Sequence, residues 1–388
     1  MRKSFKIKVL CISDFFSPGF KGGGLIRTLE NMIGCLHNQI EFWVFTRDRD
    51  LGDKSSYHNV VKNDWVSRLN SMIFYACPKR YGLAGIFGVM RSRSFDILYL
   101  NSFFSFKGSI LPLLINSLFF RMPVILAPRG EFSSGALELK KIKKNTYLKF
   151  ARLVGIYNNV NWQASSVLEL AAIRNALNIE EERIYVAPDL VAPLRDAEVH
   201  GRRSDKHESL RISFVSRIVE MKNLLFLLNV LMKVKSRVEL SIYGPIEDDV
   251  YWGRCKDVLK RLPSNVDAQY YGSVAPTQVA NVFSCSDIFA FPTMGENFGH
   301  VIIEALRVGT PVLISDRTPW VAAPVAVTVI PLENIDEWVS AIESNAMRSQ
   351  SEYEQARLQT LDYASHYLND ERAGLANISM FECVAGIK

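Results

Sequence analysis

The chain has 388 residues, 48% of them hydrophobic and 22% charged, with six cysteines and a formal charge of +6. At about 150 residues per domain, that length corresponds to two domains or three. Near-average charge and hydrophobicity exclude disordered, collagen-like and repeat-fibre compositions, and a net charge of +6 is too small for a nucleic-acid binder unless it is concentrated in one place.

The first apolar stretch runs only from Val9 to Ile12 before Ser13 and Asp14. A secretory signal needs about 7–15 apolar residues, so this segment reads as a first strand. The cysteines at 11, 35, 77, 255, 285 and 383 have neither CxxC spacing nor a disulfide framework, and free thiols in a reducing cytoplasm are expected. The longest apolar stretch, Gly108 to Ala127, is interrupted by Pro112, Asn116, Arg121 and Pro123. It reads as a buried helix over 108–120 followed by a strand from Pro123 to Ala127, not as a membrane span.

Further short apolar runs predict strands at Ile7–Ile12, Glu41–Phe45, Met72–Tyr75, Ile97–Leu100 and Val124–Ala127, then Ile212–Ser216, Glu239–Tyr243, Ala268–Tyr271, Ile288–Pro292 and Pro311–Ile314. Between them, Leu25–Leu36, Leu224–Val234, Trp252–Leu262 and Val301–Val308 carry apolar residues at helical spacing. Such alternation predicts right-handed βαβ units and two α/β domains, each a doubly wound, Rossmann-like parallel sheet. The polar run RDAEVHGRRSDKHESLR at 195–211 breaks the pattern. The expected organisation is therefore an N-terminal domain over 1–194, a linker over 195–210, a second domain over 211–348 and C-terminal helices over 349–388 that pack back on the first domain. Ligands of such sheets bind at the carboxyl ends of the strands, which places the expected site in a cleft between the domains.

Three motifs carry chemistry. The run PTMGENFGHVIIEAL at 292–306 follows a strand and opens a helix, with Glu296 at the helix entry and Glu304 eight residues on. Free backbone N–H groups around Asn297, Phe298 and Gly299 favour a phosphate, and a carboxylate on either side suits the hydroxyls of a sugar and a ribose. Arg217 follows the strand ISFVS and Lys222 lies five residues later. Two cations at a strand-to-helix turn can neutralise a departing diphosphate without a metal ion. In SPGFKGGG at 17–24, Gly22, Gly23 and Gly24 let the backbone approach a ligand closely; the run is not GxGxxG, so a dinucleotide cofactor is not indicated.

Taken in this order, the glycine-rich turn, Arg217 with Lys222, and Glu296-x7-Glu304 resemble a retaining glycosyltransferase of family 4 with the GT-B fold. IYG at 242–244, YYGS at 270–273, CSDIFAFPT at 285–293 and EALRVGTPVLIS at 304–315 are similar to the nucleotide domain of that family. APRGEFSSGALELKKIKK at 127–144 and SDRTPW at 315–320 resemble its bacterial surface-polysaccharide and lipopolysaccharide branch. The resemblance implies a UDP- or GDP-sugar donor, a lipid-linked or saccharide acceptor, and no cofactor or metal. Gly22, Gly23 and neighbouring amides would contact the donor diphosphate, Arg217 and Lys222 the leaving group, Glu296 with Asn297 to Gly299 the donor sugar, Glu304 the ribose, and Gly272 and Ser273 the base. The acceptor hydroxyl would attack from the face the leaving group departs, with the donor phosphate taking the proton.

Many relatives place a histidine in the N-terminal domain, but this chain has none between His58 and His200. Asn101 and Ser102 are expected to fill part of that space, with Arg129 and Glu131 on the acceptor side. His300 reads either as a cleft residue or as a capping and packing one. Asp48-Arg49-Asp50 has the spacing of a metal-binding acidic pair but falls in a loop, and Glu247-Asp248-Asp249 reads as the acidic first turn of a helix. A nucleotide-sugar 2-epimerase of similar fold would need histidines in both domains, and a catalytically inactive nucleotide-sugar-binding subunit should have lost the four charged site residues.

The charge does concentrate. Between Arg121 and Arg152 eight positive residues face only Glu131 and Glu138, a net of +6 that equals the excess of the whole chain. Interleaved apolar residues make this segment either a solvated helix face or a basic amphipathic helix on an anionic membrane, with Lys140, Lys141, Lys143 and Lys144 as the patch. With no nucleic-acid motif around it, the expected address is the inner face of the cytoplasmic membrane, and nucleic acid is not an expected partner.

Overall fold

The computed structural model describes residues 6–133, 137, 141–191 and 208–387. The chain divides into two compact units, one of residues 1–192 with 371–388 and one of residues 193–370. Apart from 208–210, the expected linker lies outside the described residues.

The first unit is built on an eight-stranded sheet: β1 (Ile7–Ile12), β2 (Ile40–Arg47), β3 (Trp65–Arg68), β4 (Ser71–Ala76), β5 (Ile97–Leu100), β6 (Val124–Leu126), β7 (Val160–Ala164) and β8 (Ile184–Val186). Their spatial order is β3-β4-β2-β1-β5-β6-β7-β8. Every pairing is parallel except that of β3 with β4. Strands such as β1 and β5 are apolar almost throughout because helices cover both faces of a parallel sheet. Alternation along β1 divides its side chains between two cores, with Leu10 and Ile12 in one and Val9 and Cys11 in the other.

The helices of this unit are α1 (Gly24–Leu36), α2 (Leu83–Ser92), α3 (Leu111–Ile115) with π-helical turns on either side (Phe106–Ile110 and Asn116–Phe120), α4 (Lys141–Val154) and α5 (Val167–Leu177). The helical stretch around α3 is not buried as the sequence led us to expect. Leu113 and Ile115 enter the core, whereas Phe106, Leu118 and Phe119 are 60–70% exposed. Its apolar residues run all round the helix, and only one side meets the sheet.

The second unit has six parallel strands: β9 (Leu210–Val215), β10 (Val238–Tyr243), β11 (Val266–Tyr270), β12 (Ile288–Phe291), β13 (Val312–Ser315) and β14 (Val327–Ile330). Their order, β11-β10-β9-β12-β13-β14, reverses direction between β9 and β12. At such a switch point the loops leaving the two strands diverge and leave room for a ligand. The accompanying helices are α6 (Leu224–Leu231), α7 (Asp249–Leu259), α8 (Val279–Ser284), α9 (His300–Leu306), α10 (Ile335–Ala346) and α11 (Gln350–Leu368). The C-terminal helices are divided: α11 belongs to the second unit, while α12 (Arg372–Ala385) belongs to the first. Phe381 of α12 is fully buried there, its ring 6.1 Å from that of Phe42 and 5.9 Å from that of Tyr99.

A buried polar network lies at the carboxyl edge of the first sheet. The Arg129 guanidinium pairs with Asp189, donates to Asn101 Oδ1 at 2.9 Å and donates to the Tyr99 hydroxyl. Asp189 also accepts from Thr28 on α1 at 3.0 Å, and Asn101 donates to the Leu25 carbonyl at 3.1 Å. The Arg129 and Asp189 side chains are only 4% and 3% exposed. Removing one member of such a pair strands a buried charge. Asp189→Ala is therefore expected to cost about 3–5 kcal/mol in urea unfolding followed by tryptophan fluorescence. Asp53→Ala, at the half-exposed Lys21–Asp53 pair, is expected to cost less than about 1 kcal/mol.

Candidate active site

Most of the sequence-predicted site residues of the second unit lie on loops at the carboxyl edge of its sheet. Arg217 follows β9, and Lys222 ends a short 3-10 turn, Glu220–Lys222, just before α6. Across the switch point, the loop after β12 carries Glu296. The two loops are stitched together by backbone: the Met221 carbonyl accepts from Met294 N–H at 2.8 Å and from the Thr293 hydroxyl at 3.2 Å. Glu296 N–H donates to the Arg317 carbonyl at 3.0 Å, which ties in the loop after β13.

On this frame Lys222 Nζ donates to Glu296 Oε2 at 2.7 Å. The side chains are 11% and 17% exposed, and the ammonium lies 5.3 Å from the centre of the Phe291 ring. An ammonium so enclosed is fixed by the carboxylate and the aromatic face together. The other carboxylate oxygen of Glu296 accepts from Asn297 N–H at 3.2 Å, so one amide of the expected phosphate cradle is already engaged. Phe298 is a core residue, 5% exposed, and its carbonyl accepts from the Trp320 indole at 2.6 Å. This bond explains the tryptophan of the SDRTPW run. His300 is buried on α9 with its ring 4.8 Å from that of Phe298. Glu304 lies on α9 and is partly buried.

Gly272 and Ser273 follow β11, and Gly272 accepts from Gly244 N–H at 2.8 Å. Beside them the Tyr243 and Tyr271 rings stack at 5.0 Å and 14°. Arg217, 45% exposed, pairs through Nη1 with Glu247 Oε2 at 3.0 Å. Sequence reasoning missed this carboxylate. It treated Glu247 as part of an acidic helix start; Asp248 caps α7, accepting from Tyr251 N–H at 2.9 Å, and Asp249 stands in its first turn, but Glu247 precedes the helix.

In the first unit, Gly22 and Gly23 lead into α1, whose N-terminus has no side-chain cap and no acidic residue in its first turn. Gly23 adopts φ 63°, a left-handed value that favours glycine, and the position its Cβ would take is open space. Asp50 shapes this turn by accepting from Phe20 and Lys21 N–H at 2.8 and 3.1 Å, while Asp48 pairs with Arg49. Among the described residues no cluster of His, Cys, Asp or Glu is placed to hold a metal ion.

The residues expected on the acceptor side are largely occupied with the protein itself. Asn101 and Arg129 belong to the buried network under α1. Glu131 accepts from the Ser102 hydroxyl and from Phe103 and Phe104 N–H. Burial pushes its carboxyl above the usual range, and those donors and Lys144 oppose the shift. The basic segment is likewise less of a patch than its charge count. Arg129 is paired inside, Arg152 donates to the Asn175 and Ala176 carbonyls at the end of α5, and Lys144 lies 4.9 Å from the Phe104 ring centre. Lys143 is exposed, the Lys141 side chain is not described, and Lys140 lies outside the described residues. The solvent face of α4 instead presents Ile142, Phe150, Leu153 and Val154, between 55% and 86% exposed. No described helix is long and apolar enough to cross a membrane.

Comparison with known structures defines the fold as GT-B. HepE of Anabaena, solved in complex with UDP and glucose, superposes with a TM-score of 0.72 at 16% identity, covering 98% of this chain and 100% of that one. Sucrose-phosphate synthase from Thermosynechococcus elongatus gives 0.73 at 14% identity, over 99% of this chain and 100% of its own. WaaG, a glycosyltransferase involved in lipopolysaccharide biosynthesis, gives 0.63 at 13% identity, over 98% and 100%. Residues 209–346, within the second unit, match the family model described as Glycosyl transferases group 1. An uncharacterized 41.2 kDa protein in the cps region of Klebsiella pneumoniae is 25% identical over 241 residues, 60% of this chain. The match spans 63% of that relative's length.

The Lys222–Glu296 contact gives a direct test of the site's construction. Lys222→Ala, Glu296→Ala and the double variant are expected to be non-additive in urea unfolding, with a coupling energy of about 1–3 kcal/mol.

Proposed function

We propose that the protein is a glycosyltransferase that moves a sugar from a UDP- or GDP-sugar to a lipid-linked or saccharide acceptor in bacterial surface-polysaccharide assembly, with retention at the anomeric carbon. The observation that carries this reading is the grouping of Arg217, Lys222 and Glu296 on joined loops at the switch point of the second sheet. The group 1 glycosyltransferase domain, the UDP and glucose bound by HepE and the cps-region relative support it.

In this mechanism the bond from the anomeric carbon to the diphosphate oxygen breaks as the acceptor hydroxyl oxygen attacks from the same face. The departing phosphate oxygen takes the hydroxyl proton. Arg217 and Lys222 meet the charge that develops on the diphosphate, the task a metal ion performs elsewhere. Glu296 holds the Lys222 ammonium and offers a carboxylate to the sugar hydroxyls. Glu304 takes the ribose hydroxyls, Gly272 and Ser273 lie by the base, and Gly22 and Gly23 are assigned to the diphosphate. A panel of nucleotide sugars, assayed for nucleoside diphosphate release with and without membrane lipid extract, is expected to give one active donor and a new glycolipid. EDTA is expected to leave that rate unchanged. Glu304→Ala is expected to weaken donor binding by about 1–3 kcal/mol. Tight donor binding without turnover would sink the transferase reading.

The reading extends to a membrane surface. On α4, Ile142, Phe150, Leu153 and Val154 share one exposed face, with Lys149 at its margin and Lys143 within it. A largely apolar face that also carries lysines suits a helix lying in an anionic interface. The exposed Phe106, Leu118 and Phe119 beside α3 add apolar area on the same unit. Changing Ile142, Phe150 and Leu153 together to serine is expected to release the protein from phosphatidylglycerol vesicles in a sedimentation assay, and unaltered co-sedimentation would retire the membrane assignment.

A further inference from the structure

The two cations assigned to the leaving diphosphate are held by different kinds of carboxylate contact. Lys222 is enclosed with Glu296, both side chains less than 20% exposed. The Arg217–Glu247 pair stands in water, at 45% and 27% exposure. Its geometry is nevertheless imposed by backbone. Ser216 N–H donates to the Tyr243 carbonyl at 3.0 Å, Ile218 N–H to the Pro245 carbonyl at 2.8 Å, and Glu247 N–H to the Ile218 carbonyl at 3.3 Å. Gly244 permits this zipper: its φ is 141°, and a Cβ there would lie 1.7 Å from the Ser216 carbonyl oxygen. The loops after β9 and β10 are thus fixed side by side with Arg217 and Glu247 facing one another.

We propose that Glu247 is a positioning residue for the transfer, the resident counter-ion of Arg217, which a nucleoside diphosphate must displace or share in order to bind. This inference rests on the assignment of Arg217 to the diphosphate. A carboxylate 3.0 Å from the guanidinium orients it. The same carboxylate repels an arriving or newly formed diphosphate, so it limits how tightly product is held. Exchange is easy because a water-exposed ion pair contributes little stability. The enclosed Lys222–Glu296 pair has no comparable freedom and stays as the fixed half of the anion site.

Isothermal titration with UDP and with GDP tests this on the full chain. Wild type, Glu247→Gln, Arg217→Gln and the double variant are compared, with Glu247→Asp as the conservative control. Glu247→Gln is expected to tighten binding about three- to tenfold, the scale of one like-charge contact near a surface, with an unchanged melting temperature. Glu247→Asp is expected to restore wild-type affinity. In the Arg217→Gln background the gain from the Glu247 change is expected to be smaller than in wild type, because only the direct repulsion is then relieved. Unchanged or weaker binding by Glu247→Gln overturns the counter-ion role, as does an equal gain without Arg217, while leaving the nucleotide-sugar reading intact. Failure of the wild type to bind either nucleotide overturns that reading and this inference together.

Discussion

One ion pair, Lys222 to Glu296, joins the two halves of the second sheet at the place where its strand order reverses. Residues 74 positions apart meet at 2.7 Å because β9 and β12 are neighbours and backbone bonds join the loops that follow them. The surrounding backbone bonds, from Met294 to Met221 and from Glu296 to Arg317, tie the loops after β9, β12 and β13 to one another. A charged side chain enclosed to this degree needs such a frame, since without its partner the desolvated ammonium would be costly. Beside it, the Tyr243–Tyr271 stack and the Arg217–Glu247 pair occupy the more exposed part of the same edge.

The first unit solves a related problem differently. Its carboxyl edge is filled beneath α1 by Arg129, Asp189, Asn101, Tyr99 and Gln163, a network whose members satisfy one another. Through Asn101 and Thr28 this network grips the first turn of α1, immediately after the glycine-rich segment. The glycines are therefore mounted on a rigid base although they carry no side chains of their own. Asp50 supplies the second support from the loop after β2.

Most of the ten strands anticipated are apolar runs that parallel packing buries on both faces, whereas β10 and β11 alternate; the ends of all ten differ from the expected ones by a few residues at most. The four strands that escaped notice have identifiable reasons. β3 is an antiparallel edge with only partly buried residues. β7 reads VNWQA, and its polar Gln163 is a buried member of the network, bonded to Tyr99 and to Asn377 of α12. β8 has three residues, and β14 is a four-residue edge strand. At the candidate site, motif spacing singled out Arg217, Lys222, Glu296 and Glu304 as candidates but was blind to which side chain holds which. The charge sum over residues 121–152 was equally blind to partners: Arg129 finds its counter-charge 60 positions later, and Arg152 donates to backbone carbonyls. Pairing across the fold is invisible to a sum along the chain.

The return of α12 to the first unit has a consequence for how the molecule is made. Met380 and Phe381 close a core whose other buried members lie between Ile7 and Leu190, most of them, Phe42, Tyr75 and Tyr99 included, in the first hundred residues. During synthesis the early segment must wait, incompletely sealed, while the whole second unit emerges. That unit contains all of its own sheet and can complete itself first. The order of assembly is thus the reverse of the order of translation for the final step: the N-terminal core is the last to become watertight.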